Sequence, residues 1–367
     1  MKVIITGANG FIGKNLSFII NENEKHEVME VTRDTSKKVF LSYLKEADFI
    51  YHLAGVNRPK NESEFKESNV DLTNFITSTL KEYGRKVPIA ISSSSQVHLD
   101  NIYGASKLEA EDLISNYSKI TGATNYILRL PNVFGKWCKP NYNSFVATFC
   151  YNIVNGIDIS INDPNSKVSL VYIDDVCKLL VSLLDGEHKG GLIDVPNVYK
   201  TTVGEVAEII YSFKSSRKTL ISEQVGAGLK RALYSTYLSY ITPKHFSYDL
   251  ISHEDNRGVF CEMLKTKDSG QFSFFTAHPG ITRGGHYHHT KTEKFLVVKG
   301  KAKFCFNNIL TNEKYSITTT ADKPQMVETI PGWSHDITNI SDEELIVMLW
   351  ANEIFDPENP DTMEASL

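Results

Sequence analysis

Lys2-Val3-Ile4-Ile5-Thr6-Gly7-Ala8-Asn9-Gly10-Phe11-Ile12-Gly13 opens the chain with an apolar, β-branched run that passes into a glycine turn and then into a helical pattern. Glycines in that position permit a tight turn and bring backbone N–H groups close to a pyrophosphate at the helix N-terminus. Working outward, short apolar runs at Val28 to Thr32, Phe49 to Leu53, Ile89 to Ser92 and Tyr126 to Leu130 alternate with amphipathic helical stretches as far as about Pro196. That alternation predicts an α/β Rossmann-like parallel sheet with helices on both faces. It also predicts a dinucleotide held by Gly7, Asn9, Gly10, Phe11, Ile12 and Gly13.

Around Pro243 the pattern changes to short strand-like runs broken by glycine, asparagine and proline, among them Phe272 to Ala277, Lys294 to Val298, Ala302 to Phe306 and Ile346 to Trp350. These predict an all-β sandwich or barrel. The expected division is therefore 1–243 for the nucleotide-binding part and 244–367 for the β part. With 367 residues, each part can bury its own core. The net charge of −5 and the mixing of acidic and basic residues leave no basic stripe for nucleic acid or lipid head groups, so the expected partner is a small molecule. No apolar run approaches the roughly 20 residues that span a bilayer. Met1 leads directly into a strand rather than a signal peptide, and the expected location is cytoplasmic. The five cysteines are scattered, odd in number and without a Cys-x-x-Cys pair, so they read as reduced, mostly buried thiols.

Two positions carry the redox chemistry. Tyr103-Gly104-Ala105-Ser106-Lys107 sets a phenol and an ammonium four residues apart, on one face of a helix. A fixed cation favours the phenolate, lowers the tyrosine pKa and eases proton transfer, which suits carbonyl reduction: hydride reaches carbon while Tyr103 protonates oxygen. Arg33, about 20 residues past the glycines, stands where an arginine accommodates the 2′-phosphate of NADPH and an acid would bind a ribose hydroxyl. Asp34 beside it is the alternative contact, to the ribose. Ser92 to Ser95 close the fourth strand at its carboxyl end, where ligands of open α/β sheets collect.

The glycine spacing and the Tyr-x-x-x-Lys pair together resemble the short-chain dehydrogenase/reductase family. The resemblance implies that His52-Leu53-Ala54-Gly55 lines the cofactor through Leu53, Ala54 and Gly55, that Asn69 recurs behind it, and that Lys107 and Tyr103 border the nicotinamide ribose. For Asn69, packing alone is an equal alternative. Comparison with the family's Ser-x-x-Val pattern points to Ser94 as the third catalytic member, with Ser93 and Ser95 open by one-residue slips. Arg129-Leu130-Pro131-Asn132-Val133-Phe134-Gly135 resembles a segment of extended members acting on nucleotide sugars, which implies that Asn132 faces substrate or nicotinamide. Val171 to Val176 resembles another such segment, in which Asp174 and Asp175 read as helix caps as readily as ligand contacts.

In the second part, His286, His288 and Glu293, followed by Pro331-Gly332-Trp333-Ser334-His335 and Asn339, resemble the two motifs of the cupin superfamily, a jelly-roll fold. Pro331 and Gly332 are directly joined where that family usually has one residue between. Residues two apart on a strand face the same side, so His286 and His288 can both point into a small barrel. The resemblance implies a metal held by His286, His288, Glu293 and His335, with zinc first and Mn²⁺, Fe²⁺ or Ni²⁺ behind it. Some cupins, sugar epimerases among them, carry no metal and use a histidine as base. Asp255 to Glu262 resembles the opening strand of cupin-fold 3,5-epimerases, which makes Arg257 the implied diphosphate or nucleotide contact. The epimerase base stays open between a histidine, Tyr287 and Lys294.

Both halves together resemble the fused reductase–cupin enzymes of capsular polysaccharide synthesis. That resemblance implies C3 epimerisation of a UDP-linked 2-acetamido-2,6-dideoxy-4-hexulose in the cupin part, then NADPH-dependent reduction at C4. The implied product is UDP-2-acetamido-2,6-dideoxy-L-talose, on the way to UDP-N-acetyl-L-fucosamine. A homodimer is expected, since cupins commonly pair through their sheets. Two rival readings remain: a plain reductase with a structural or dimerising cupin, and a non-enzymatic NADPH-sensing regulator.

Overall fold

The computed structural model describes residues 1–22, 24–59, 61–250, 252–255, 258–261, 264–266, 270–353 and 358–365. The chain forms two compact units, Met1–Ser144 with Lys167–Thr201, and Phe145–Ser166 with Thr202–Leu367. The expected division at residue 243 follows the change from helical to strand-like sequence, whereas the packing groups three helices that precede it with the strands that follow.

The first unit is built on strands β1 (Lys2–Thr6), β2 (Glu27–Val31), β3 (Phe49–His52), β4 (Ile89–Ser94) and β5 (Asn125–Leu130). With Gly191–Leu192 they make a parallel sheet in which β1 lies between β2 and β3, followed by β4 and β5. Helices α1 (Phe11–Glu22), α2 (Lys37–Glu46), α3 (Ser63–Phe65), α4 (Leu72–Glu82) and α5 (Ile102–Thr121) supply the connections, and α3 runs into α4 through a π-helical stretch, Lys66–Asp71. All the residues of β3 and β4 are buried, which is why these strands read as apolar runs rather than alternating ones. One core cluster joins Ile4, Ile50, Ile89 and Ile127 of the sheet to Leu44, Ile76, Leu80 and Ile114 of the helices. Each such side chain contributes about 1.5–3 kcal/mol of burial free energy. The chain leaves β1 in opposite directions to β2 and β3, so the crevice for a ligand opens at the carboxyl ends of these strands.

The second unit carries helices α6 (Phe145–Asn155), α8 (Val203–Thr219) and α9 (Gly228–Leu238), with α7 (Ile173–Ser182) belonging to the first. Thr202 caps α8 reciprocally with Glu205, a capping box worth about 1 kcal/mol. The strands form two five-stranded sheets. One is ordered Ser247–Asp249, Gln325–Glu328, Glu293–Lys299, Leu345–Ala351, Gln271–Ala277; the other is Lys314–Thr320, Lys301–Asn308, Trp333–Asn339, Thr282–Tyr287, Met363–Glu364. Pairing within both is antiparallel. Phe295 from the first meets Phe304 and His335 from the second, with ring centroids 5.8 and 6.0 Å apart. This is the expected all-β sandwich, a jelly roll. Cys138, Cys150 and Cys177 are buried thiols and Cys305 is half-buried. Among the described residues no helix is long and apolar enough to cross a membrane.

Candidate active site and candidate metal centre

At the end of β1, Gly7 takes φ +70°, and a Cβ there would lie 2.8 Å from the Ala54 backbone. Only glycine lets the turn press against the loop after β3. Asn9 and Gly10 are exposed, Phe11 and Ile12 half-buried and Gly13 buried, all at the N-terminal end of α1. A buried relay fixes the neighbouring loop. The Ala54 N–H donates to Thr6 Oγ1 at 3.1 Å, Thr6 Oγ1 lies 2.8 Å from His52 Nδ1, and His52 Nε2 lies 2.8 Å from Thr73 Oγ1. Thr73 spends its proton on the Asn69 carbonyl at 2.6 Å. It therefore accepts from His52 Nε2–H, and His52 Nδ1 accepts from Thr6. Burial and the Lys107 charge push His52 down to about 3, so the ring stays neutral.

Asn69 belongs to the same framework. Its Oδ1 accepts from the Val56 N–H at 3.0 Å, and its amide donates to the Val56 carbonyl at 3.2 Å and to Ser106 Oγ at 3.0 Å. Its hydrogen bonds are made to protein, so it holds the loop against α5. Leu53 and Ala54 are half-buried, and Gly55 is exposed, where a Cβ would lie 2.8 Å from Asn69 Oδ1 and 3.0 Å from Lys107 Nζ.

Helix α5 starts at an Asn101 cap whose Oδ1 accepts from the Gly104 N–H at 2.7 Å. A Cβ on Gly104 would lie 2.3 Å from the Gln96 carbonyl, so glycine permits the helix to approach the turn after β4. The result is that the Ser94 side chain, which accepts from the Gln96 N–H at 3.1 Å, acts on the Tyr103 phenol and lowers its pKa. Lys107, buried one turn further, donates to the Ser92 carbonyl at 2.9 Å. Ser93 is committed elsewhere, donating to Glu111, which pairs with Arg129 at 2.7 Å, and Ser95 is exposed. Of the three serines, Ser94 is the one that reaches the phenol.

One electrostatic expectation is corrected. Burial raises the Tyr103 phenol above its ordinary value of 10.0, against a smaller lowering by Ser94, and Lys107 does not draw it down. The ammonium is itself desolvated and pushed down to about 8, with Glu111 partly offsetting the burial. Tyr103 thus stands as a phenol, the form a proton donor needs.

Arg33 and Asp34 are exposed in the turn that follows β2. Asn132 is exposed at the start of strand Asn132–Phe134, its amide donating to the Ser169 carbonyl at 3.3 Å. Arg257 lies outside the described residues.

In the second unit, the four expected ligand residues come together: one nitrogen or oxygen from each of His286, His288, Glu293 and His335 lies within 4.8 Å of every other. A register shift between Gly284 and His286 sets His286 opposite His335 on the paired strands. The rings of His286 and His288 are 5.0 Å apart, on one side of the chain. Tyr287 pairs instead with His289 at 5.6 Å. Glu293 Oε2 lies 3.2 Å from His288 Nε2 and 3.4 Å from His335 Nε2, and its Oε1 lies 2.9 Å from Lys291 Nζ. His288 Nδ1 bonds the Asp361 carbonyl, which only accepts, so Nδ1 carries a proton and Nε2 is the nitrogen turned toward Glu293. Burial and the neighbouring rings push His286 down to about 4, and burial lowers His335 despite Glu293. Three imidazole nitrogens gathered with one carboxylate oxygen are a donor set that divalent cations take, so these residues fit a metal.

Residues 3–195 match the model of the NAD dependent epimerase/dehydratase family, and residues 253–363 match that of the polysaccharide biosynthesis C-terminal domain. The chain belongs to the NAD-dependent epimerase/dehydratase family. It is 52% identical over 368 residues to a UDP-2-acetamido-2,6-beta-L-arabino-hexul-4-ose reductase of Pseudomonas aeruginosa, covering 100% of this chain and 99% of that protein. The crystal structure of the capsular polysaccharide assembling protein CapF from Staphylococcus aureus is 43% identical, with 100% of both chains covered and a TM-score of 0.70. A UDP-glucuronic acid 4-epimerase from Bacillus cereus in complex with NAD shares the fold alone, at 19% identity over 59% of this chain and 84% of that one, TM-score 0.53. As a member of the epimerase/dehydratase family, the chain is a nicotinamide-dependent oxidoreductase.

Three long-range pairings in this chain have no local signal in its sequence. Lys136 and Asp174 form a buried ion pair at 2.6 Å beside the strand Asn132–Phe134. In the second unit, Lys294 is buried and paired with Glu328, which also pairs with Arg217 of α8. Burial opposes the ammonium of Lys294, but Glu328, Tyr234 and Tyr248 outweigh it and hold the proton. Lys294 is thereby removed from the possible epimerase bases. Asp361 is the third, lying 73 positions from the His288 it touches.

Proposed function

We propose that this chain reduces the C4 ketone of a UDP-linked 2-acetamido-2,6-dideoxy-4-hexulose with NADPH, after its jelly roll has inverted C3. The carrying observation is the Tyr103 phenol with Ser94 acting on it and Lys107 anchored one turn along α5 to the Ser92 carbonyl. The product is UDP-2-acetamido-2,6-dideoxy-L-talose, a precursor of UDP-N-acetyl-L-fucosamine for capsular polysaccharide made in the cytoplasm. The full-length relative named as a hexul-4-ose reductase supports this substrate class.

Bound NADPH supplies the hydride to C4. Ser94 orients the carbonyl oxygen and Tyr103 donates its phenolic proton to it, so the ketone gains H⁻ and H⁺ and becomes the alcohol. Lys107 holds the nicotinamide ribose and returns a proton toward Tyr103. Gly7, Asn9, Gly10, Phe11, Ile12 and Gly13 receive the pyrophosphate, Arg33 the 2′-phosphate, and Leu53, Ala54 and Gly55 border the cofactor on the loop that Asn69 secures. Asn132 and Arg257 contact the nucleotide sugar. This work falls to residues 1–243, and epimerisation to 244–367.

Inversion precedes reduction for a chemical reason. The C3 proton is removable only while the adjacent carbonyl can take up the enolate charge, and reduction ends that lability. His286, His288, Glu293 and His335 would hold zinc, which supplies fixed positive charge inside the barrel. Four protein ligands fill a tetrahedral shell, and this favours a second reading in which the metal is structural and the jelly roll dimerises. A homodimer fits either reading, supported by Phe274, 70% exposed on an edge strand beside Met348.

The test uses the 4-keto sugar nucleotide in D₂O without NADPH. Deuterium at C3 is expected. A substrate left fully protonated at C3 eliminates the epimerase, and absence of NADPH oxidation on the same ketone eliminates the reductase.

A further inference from the structure

The turn that carries His288 into the barrel is held from outside by one carboxylate. Asp361 Oδ1 accepts from the His289 N–H at 2.8 Å. Its Oδ2 accepts from the N–H groups of Thr290 at 2.6 Å and Lys291 at 2.7 Å, and from Thr290 Oγ1 at 2.9 Å. Three successive backbone N–H groups converging on an anion form a concave nest, and charge-assisted bonds of this kind are about twice as strong as neutral ones. The same residue turns its own carbonyl to His288 Nδ1. Helix α9 secures the far side of the turn: Ser235 Oγ donates to the Thr290 carbonyl at 2.8 Å and Arg231 donates to Thr290 Oγ1. Asn352 receives the Thr292 N–H at 2.8 Å, one residue before Glu293.

We propose that Asp361 is the positioning residue of the His286–His288–Glu293–His335 centre. Its carboxylate shapes the 289–291 turn, and its carbonyl fixes His288 as the Nδ1–H tautomer, with Nε2 aimed at the cation. Asp361 does not touch the metal. It acts through His288, as outer-shell partners of ligating histidines do by fixing ring orientation and tautomer. The proposal rests on the metal reading given above, and the experiment separates the two.

The full chain is titrated with Zn²⁺ against a chromophoric chelator, and the imidazole ¹⁵N shifts of His288 are recorded in the metal-free protein. Wild type should bind one ion and show His288 protonated at Nδ1. Asp361→Ala should lose about 10–100-fold in affinity, the usual range for an outer-shell partner, and its His288 shifts should move toward a mixture of tautomers. Asp361→Asn keeps the size and one acceptor oxygen, so its loss should be smaller, and it serves as the deciding variant if the alanine protein does not fold. A folded variant with wild-type affinity and unchanged His288 shifts overturns the proposal. If wild type takes up no zinc while the ¹⁵N shifts respond to Asp361→Ala, the metal reading fails and the positioning role stands.

Discussion

Ser94 draws the pKa of the Tyr103 phenol down, while burial raises it by more and keeps the phenol protonated. An acid is thus already in place where a ketone oxygen would need one. Tyr103→Phe should lower the rate of NADPH oxidation by roughly 10²–10⁴, the usual worth of a positioned general acid. Deuterium uptake at C3, proposed for the other unit, should be unchanged. Unchanged turnover in the phenylalanine variant would remove Tyr103 from the chemistry.

Lys107 sets the pH dependence. Its folded pKa of about 8 lies below the ordinary 10.5, so the ammonium is present below that pH and is lost as pH rises through it. Reduction should fall on the alkaline side with a midpoint near 8. Lys107→Met has no proton to lose, and its residual rate should be flat over the same window; a rate profile of wild type and variant between pH 6 and about 9.5 checks both.

Cofactor choice depends on Arg33, exposed just past β2. Arg33→Ser should raise KM for NADPH about tenfold, equivalent to roughly 1.4 kcal/mol, and leave KM for NADH nearly unaltered. Equal changes for the two cofactors would mean that Arg33 does not read the 2′-phosphate.

Lys294→Met would leave the carboxylate of Glu328 buried with Arg217 as its remaining cationic partner. Removing one member of a buried ion pair costs about 3–5 kcal/mol, which should appear as a large drop in Tm. Adding Glu328→Leu and Arg217→Met should recover part of the loss. Thermal unfolding of the single and triple variants decides the point.

The path from sequence to these sites was direct where chemistry follows local spacing. Tyr103 and Lys107 share a helix face, and the Gly7 turn joins a strand to a helix, so period and glycine placement were enough to find them. The two cupin-like motifs located His286, His288, Glu293 and His335 by the same logic. Ser94 needed the structure to part it from its neighbours, since Ser93 is drawn to Glu111 and Ser95 faces solvent. The sign of the Tyr103 shift is not legible in the spacing along a helix, because desolvation depends on what packs around a group. Asp361, Lys136–Asp174 and Arg217–Glu328–Lys294 are long-range pairs, and nothing near each residue announces its partner. Periodicity tells a helix from a strand but does not say which core it covers, so nothing local in α6, α8 and α9 announces the strands beyond residue 243 as their partners.

The alternation of segments between the two units has a practical consequence for how the polypeptide can be taken apart. The chain passes between them after Ser144, after Ser166 and after Thr201. A protease that nicks any one of these joints severs the backbone without freeing either unit, since each fragment keeps partners in the unit it helped to build. A cut at residue 243 fares no better, because α8 and α9 stay docked on the strands beyond it. Under native conditions a singly nicked chain should migrate as the intact protein and fall into two pieces only in denaturant.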